Sequence, residues 1–344
     1  MPLLYDLDRI KKLQGIGHNW AYGYTVHLDK FSKDLTQVIP AFPILVRRED
    51  EISSLQRILL KTEGNNALVV GEPGVARRLL VEILAYRILT GEVETKLAHK
   101  RILSLNMHAL ISAKPNILEV KGLAEELLSE ANYAGNVIIF IDEIDKYLSE
   151  GNGRIDLSDV IAKFAESSVG VIGITTPFAY HKFIKNNSSL SPLFEKVDVE
   201  ALDKEGALDV LEVSIAPVLE KKYGITITYP AIVKTIKNSE QYITDTPFPS
   251  KAIELLDQSC VYLTAKKRER LLLAKHIDDF LTEKMNMPLG DMQKEESEKL
   301  SNLENLLHEK IINQEEAIRV ISASLRRARM DVGNANKPIG TFLF

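Results

Sequence analysis

Cysteine is almost absent from this chain: Cys260 is the single one in 344 residues. One thiol excludes an internal disulfide framework and a multi-cysteine zinc site, and Cys260 reads as a small core residue in a reducing compartment. Long apolar runs are missing as well. No stretch approaches the roughly 18 residues of a membrane span, and no apolar signal-peptide core opens the chain. The expectation is a soluble, cytoplasmic protein with no membrane contact. Surplus basic charge is also lacking, with 43 Lys+Arg against 48 Asp+Glu and a formal net charge of -5. That balance argues against nucleic acid held on a broad basic face. The histidines, among them His18, His27, His108 and His181, show no metal-ligand spacing and read as surface or core residues. What is present is ordinary globular material, 45% hydrophobic and 26% charged, in a length that suits roughly two or three domains.

The apolar pattern organises that length. Short runs ALVV (67–70), RILSL (101–105), NVIIFID (136–142) and VGVIGIT (169–175) read as strands. Between them, helical spacing predicts helices over 51–61, 78–90, 120–134 and 157–165. Near-continuous apolar strands separated by helices give an α/β class, a parallel sheet covered on both faces. From Lys204 onward the pattern is helical alone and reads as a small helical domain. A polar linker, GDMQKEESEK (290–299), leads to further helical material, and the tail KPIGTFLF stops in what reads as a buried strand. One internal echo, ILVRREDEISSLQRIL against IINQEEAIRVISASL, suggests a second copy of the first domain beginning near the end. The expected division is 1–27 connector, 28–200 large α/β subdomain, 201–288 helical lid, and 289–344 linker with the opening of a second module.

Two motifs carry chemistry. GEPGVARR (71–78) sits between a strand and a helix, the setting of a phosphate-binding P-loop, G-x-x-x-x-G-K-[ST]. Its backbone amides can face phosphate at a helix start. The formula's last three residues are replaced by Ala76, Arg77 and Arg78. About sixty residues on, NVIIFIDEID puts Asp142 and Glu143 at the end of an apolar strand, a Walker B arrangement. There, an Asp sits near magnesium and a Glu polarises the attacking water. The plainer reading of that pair, acidic turn residues after a strand, leaves its coincidence with a P-loop-like turn unexplained. The basic run at 325–329 (LRRAR) reads as a solvated helix face, lying on a neighbouring subunit if the family resemblance given below holds, rather than as an RNA site. Trp20, Tyr22 and Tyr24 read as packing of the N-terminal segment.

Together these segments resemble the Clp-type AAA+ unfoldases of the ClpA/ClpC branch. GEPGVARRLLVEILAYRI, VIGITTPFAYHKFI, PSKAIELLDQS and the stretch LENLLHEK through KPIGTFLF all match in order. The resemblance runs from Leu28 to Phe344 and implies an AAA+ P-loop NTPase fold with a small all-α lid. By the same resemblance, Glu143 and Thr176 are the catalytic candidates. Leu45, Val46, Gly71, Pro73, Gly74, Val75, Ala76, Arg77, Arg78, Asp142 and Lys251 are the nucleotide-contacting ones, with Asp142 the magnesium ligand. It further implies ATP or ADP with Mg as cofactors. The implied partners are identical subunits in a hexameric ring, protein substrates and a Clp-type protease.

The departures from the family pattern are equally specific. Beyond Ala76–Arg78, Arg47 replaces a glycine beside the adenine position, and Pro192 and Leu193 stand where paired arginine fingers precede Phe194. The pore-loop region SAKPNILEVKG lacks an aromatic. Loss of an arginine finger alone costs about 10³–10⁵ in rate, and arginine is no isostere of lysine at a tight phosphate site. The expectation is a first module that binds nucleotide weakly or not at all, does not hydrolyse it, and serves ring assembly or regulation. A working ATPase with an atypical P-loop and a nucleotide-free scaffold or adaptor are the competing readings. A clamp-loading role is opposed by the acidic balance and the Clp-like lid.

Overall fold

The computed structural model describes residues 25–43, 46–148, 156–267, 269–285, 302–308 and 314–329. The N-terminal connector 1–24, the polar linker 290–299 and the tail from 330, with the expectations for them, lie outside the described residues. Two compact units divide between Leu272 and Leu273, inside the stretch that the sequence assigns to the lid.

In chain order the first unit begins α1 (Leu28–Phe31), β1 (Ser32–Asp34), α2 (Glu49–Leu59), β2 (Ala67–Gly71) and α3 (Arg77–Thr90). It continues β3 (Arg101–Leu105), α4 (Met107–Ser112), α5 (Ile117–Ala134), β4 (Val137–Ile141), α6 (Ser158–Glu166), β5 (Gly170–Thr175) and the short α7 (Pro177–Ala179). β6 (Glu195–Val199) completes a six-stranded sheet in the order β1-β3-β4-β5-β2-β6. Five strands run parallel, and β1 adds an antiparallel edge on β3. β2, β4 and β5 are buried along their whole length, which is why they read as unbroken apolar runs. β1 and β6 are not in the predicted set. β1 has only three residues, and β6 (EKVDV) buries just Val197 and Val199 at the sheet edge.

Helices flank the sheet. α2 turns Ile52, Leu55, Ile58 and Leu59 inward, one apolar stripe at helical spacing. Val120, Ala124, Leu127 and Ala131 of α5 join Phe164 and the strand residues in a continuous core. Asn66, fully buried just before β2, spends its whole amide: Nδ2 donates to the carbonyls of Ala165 (2.7 Å) and Leu193 (3.0 Å), and Oδ1 accepts from Val171 N (3.0 Å).

From Lys204 come α8 (Lys204–Asp209), a π-type segment Val210–Ile215, α9 (Ala216–Tyr223), α10 (Tyr229–Tyr242) and α11 (Ser250–Tyr262). The helical expectation holds here with one addition. β7 (Thr226–Ile227) and β8 (Leu271–Leu272) form a small parallel ladder. Cys260 is buried in α11, and burial pushes its thiol up to about 12, so it stays protonated and inert. In the second unit the described helices are α12 (Ala274–Met285), α13 (Leu303–His308) and α14 (Glu315–Arg329). Among the described residues no helix is long and apolar enough to cross a membrane.

Candidate functional site

The carboxyl ends of β2, β4 and β5 lie side by side, the position where open parallel sheets place ligands. The register pairs Val70 with Thr175 and Ile141 with Gly173, so β2 and β5 end together and β4 ends two residues earlier. The phosphate loop leaves β2 at Gly71, where a Cβ would come within 2.4 Å of the Val199 carbonyl oxygen. Val75 is buried and anchors the loop, with its N–H on the Glu72 carbonyl. Ala76 precedes α3 in the left-handed region at φ 68, and its side chain offers no helix cap. A backbone conformation that glycine adopts freely is thus held here by a residue with a side chain. Arg47 likewise keeps φ 64 where the family resemblance has glycine.

The two arginines turn inward toward the strand ends. Arg77 donates from Nη1 to the Thr175 carbonyl at the end of β5 (2.7 Å). Its burial lowers its pKa, an effect opposed by Asp142, Asp145, Glu143 and Glu72. Arg78 donates from Nη1 to Asp142 Oδ2 (2.8 Å) and from Nε to Glu82 Oε1 (2.9 Å). Burial works against its charge, but the hydrogen bonds to Glu82 and Asp142 outweigh it and the pKa is raised. Both guanidiniums remain cationic at any ordinary pH.

Two residues past the end of β4, Glu143 lies at φ 48 and its carboxylate is paired with Lys146. That hydrogen bond raises the Lys146 pKa. Thr175 Oγ1 donates to Asp145 Oδ1 (2.8 Å). Thr176 accepts from the Ala179 amide (3.2 Å) and caps α7, so its hydroxyl is engaged within its own turn. The lid reaches the same loop. Ser250 N donates to the Gly74 carbonyl (3.3 Å), and a Cβ on Gly74 would stand 2.8 Å from Thr246 Cγ2 and 3.1 Å from Pro247 Cδ. Lys251 Nζ donates to the Ile243 carbonyl (3.2 Å) and lies 4.3 Å from the Phe248 ring centroid. Arg47 binds Asp209 of α8, and Val46 N approaches Ser214 Oγ (3.5 Å). Pro73 is exposed at the turn, and Leu45 lies outside the described residues.

The structure therefore brings together Gly71–Arg78, Asp142 and Glu143 at the strand ends, with Thr176 following β5. Participants around the strand ends that are absent from the sequence-derived set include Glu82, Lys146, Thr175 and Asp145. Glu82 and Lys146 are signalled by i,i+4 and i,i+3 charge spacing from Arg78 and Glu143. Thr175 and Asp145 carry no such signal, because their contact depends on strand register.

A magnesium site of this kind needs a hydroxyl and a free carboxylate oxygen. Arg78 has no lone pair to offer a cation, and its guanidinium already holds Asp142 Oδ2. The residues present do not match that donor set. At the arginine-finger position, Ser191–Leu193 forms a 3₁₀ turn carrying Pro192 and Leu193. In the pore-loop region Ile117 and Leu118 are exposed at the start of α5, Leu118 by 71%.

Comparison with known proteins agrees with this architecture. A family model described as AAA, ATPase family associated with various cellular activities, matches residues 67–184. A second, described as AAA lid domain, matches residues 203–317. The chain is 33% identical over 296 residues to the chaperone protein ClpB of Helicobacter hepaticus, covering 83% of this chain and 34% of that protein. It is 28% identical over 373 residues to the ATP-dependent Clp protease ATP-binding subunit ClpE of Bacillus subtilis, covering 92% and 53%. Among solved structures, Hsp104 with ATPγS and FITC casein superposes with a TM-score of 0.79 at 25% identity, over 91% of this chain and 54% of that one. The chain spans between about a third and about half the length of these relatives. With AAA and lid models matched in order and Clp proteins aligned along most of its length, the chain belongs to the Clp-type AAA+ family.

Proposed function

We propose that this chain is the first AAA+ module of a Clp-like protein unfoldase, and that it keeps the fold while having lost ATP hydrolysis. Its work is then ring assembly, a passive substrate channel, or regulation of a second, ATP-driven module. The observation that carries this reading is the internal commitment of the loop's cations: Arg78 on Asp142 and Arg77 on the Thr175 carbonyl. Glu143, the candidate base, is held by Lys146 rather than left to a water. Pro192 and Leu193 at the finger position and the aliphatic Ile117–Leu118 at the pore-loop position support it from distant parts of the chain. The AAA family binds nucleotide with magnesium in general. In this chain we expect ATP or ADP to bind weakly, with Asp142 a poor metal ligand. Hexameric partners, protein substrates and a Clp-type protease belong to the proposal by kinship. A related reading, a scaffold that takes no nucleotide, is favoured by the lid contact of Ser250 and Pro247 on Gly74.

Steady-state ATP turnover of the purified chain tests the proposal. The same assay on the longer protein, with its second-module Walker B glutamate replaced, extends the test to the assembled state. Turnover is expected at background in both. Robust turnover in either would sink the hydrolysis-deficient reading in favour of a working ATPase with an atypical loop. A thermal shift with ADP would then separate weak binding from the scaffold reading.

A further inference from the structure

Arg78 does more than fill the place of a hydroxyl. One planar guanidinium spans two carboxylates on different elements, Asp142 at the end of β4 and Glu82 on α3. Its Cζ lies 6.0 Å from the centroid of the Phe140 ring, the strand residue two positions before Asp142. A divalent ion between a P-loop and a strand-end aspartate performs two physical tasks: it neutralises the carboxylate and ties the helix start to the strand. Here a tethered side chain does both.

We propose that Arg78 is a built-in replacement for the divalent cation, joining the phosphate loop to Asp142 at any metal concentration. The planar fork suits this task, since a lysine ammonium has no geometry for holding two separated carboxylates in one plane. The surroundings reinforce the exclusion of metal. Arg77 lies beside Arg78 with electrostatic coupling to Asp142, Asp145 and Glu143, and Lys146 neutralises Glu143. A divalent ion approaching Asp142 therefore meets the Arg77 and Arg78 guanidiniums and must displace a charge-assisted hydrogen bond. The Arg78 and Asp142 side chains are 50% and 36% exposed, so the pair is screened by salt and its coupling is modest. The inference rests on reading Gly71–Arg78 and Asp142 as the Walker pair of the proposed function, but it does not require that hydrolysis be lost.

A double-mutant cycle of Arg78→Thr and Asp142→Asn tests it. The readout is the urea midpoint of the whole chain, in EDTA and in MnCl2, with free Mn2+ followed by electron paramagnetic resonance. The expected wild-type midpoint is the same in both buffers, and the Mn2+ signal stays that of the free ion. Each single substitution lowers the midpoint, and combining them adds little further loss. Fully additive losses would overturn the proposal, because they show no coupling. Mn2+ uptake by the wild type that Asp142→Asn abolishes would overturn it equally. If Arg78→Thr does not fold, the Mn2+ titration of the wild type and Asp142→Asn still decides. ATP turnover by the wild type would defeat the hydrolysis-deficient reading, whereas Mn2+ at Asp142 without turnover defeats this inference alone.

Discussion

Ala76 and Arg47 hold left-handed backbone that a side chain makes costly, at φ 68 and φ 64. A non-glycine residue there costs on the order of 1–3 kcal/mol unless its surroundings fix it. The surroundings of Ala76 are firm: Val75 is buried on one side, and Arg77 is tied to the Thr175 carbonyl on the other. The loop thus keeps a left-handed backbone at Ala76 at a measurable cost. Replacing Ala76 with glycine should raise stability by about 1 kcal/mol, the strain relief being partly offset by the freer unfolded chain. A thermal melt would show this as a higher midpoint. ATP turnover should stay at background in that variant, because Arg77 and Arg78 keep their partners.

At the scale of elements, the sheet positions the site and Asn66 holds three parts of it in register. Its buried amide links β2 to Val171 of β5, to the end of α6 through Ala165, and to the turn at Leu193. Truncation to alanine would leave a buried N–H and two carbonyls without this partner, at about 1–3 kcal/mol for each group left unsatisfied. Asn66→Ala should therefore lower the chemical denaturation midpoint by the equivalent of about 3 kcal/mol. It should also loosen the Ser191–Leu193 turn, read as faster proteolysis there. A loss below about 0.5 kcal/mol, the level of an ordinary surface change, would show that the amide is dispensable.

For the molecule as a whole, the question is how the lid meets the large subdomain. Contacts that join them around the site, among the described residues, include Ser250 N on the Gly74 carbonyl, Arg47 on Asp209, and Val46 N at Ser214 Oγ. Gly74 lies at φ +96, and a Cβ added to it would stand 2.8 Å from Thr246 Cγ2 and 3.1 Å from Pro247 Cδ. Gly74→Ala adds a methyl where no space exists and strains the backbone as well. The expected result is a lid freed from the loop, seen as faster hydrogen exchange of the Ser250 amide with the sheet amides unchanged. Unchanged exchange at Ser250 would show that the lid does not depend on this contact.

The sequence by itself determined the order of the buried strands and the helices between them, the Clp-type AAA+ family and the lid. Buried parallel strands such as VIIFI and helices such as α5 write their burial directly into residue type. It also exposed the altered loop, because Ala76, Arg77 and Arg78 stand at formula positions. β1 and β6 were not legible, since short edge strands with one buried face carry little apolar signal. Only the tertiary structure decided where the arginines go. Arg77 reaching Thr175, Arg78 reaching Asp142, and the lid resting on Gly74 all depend on strand register and chain crossings. Those contacts join residues far apart in sequence, and pairing across such distances is set by packing rather than by local residue pattern.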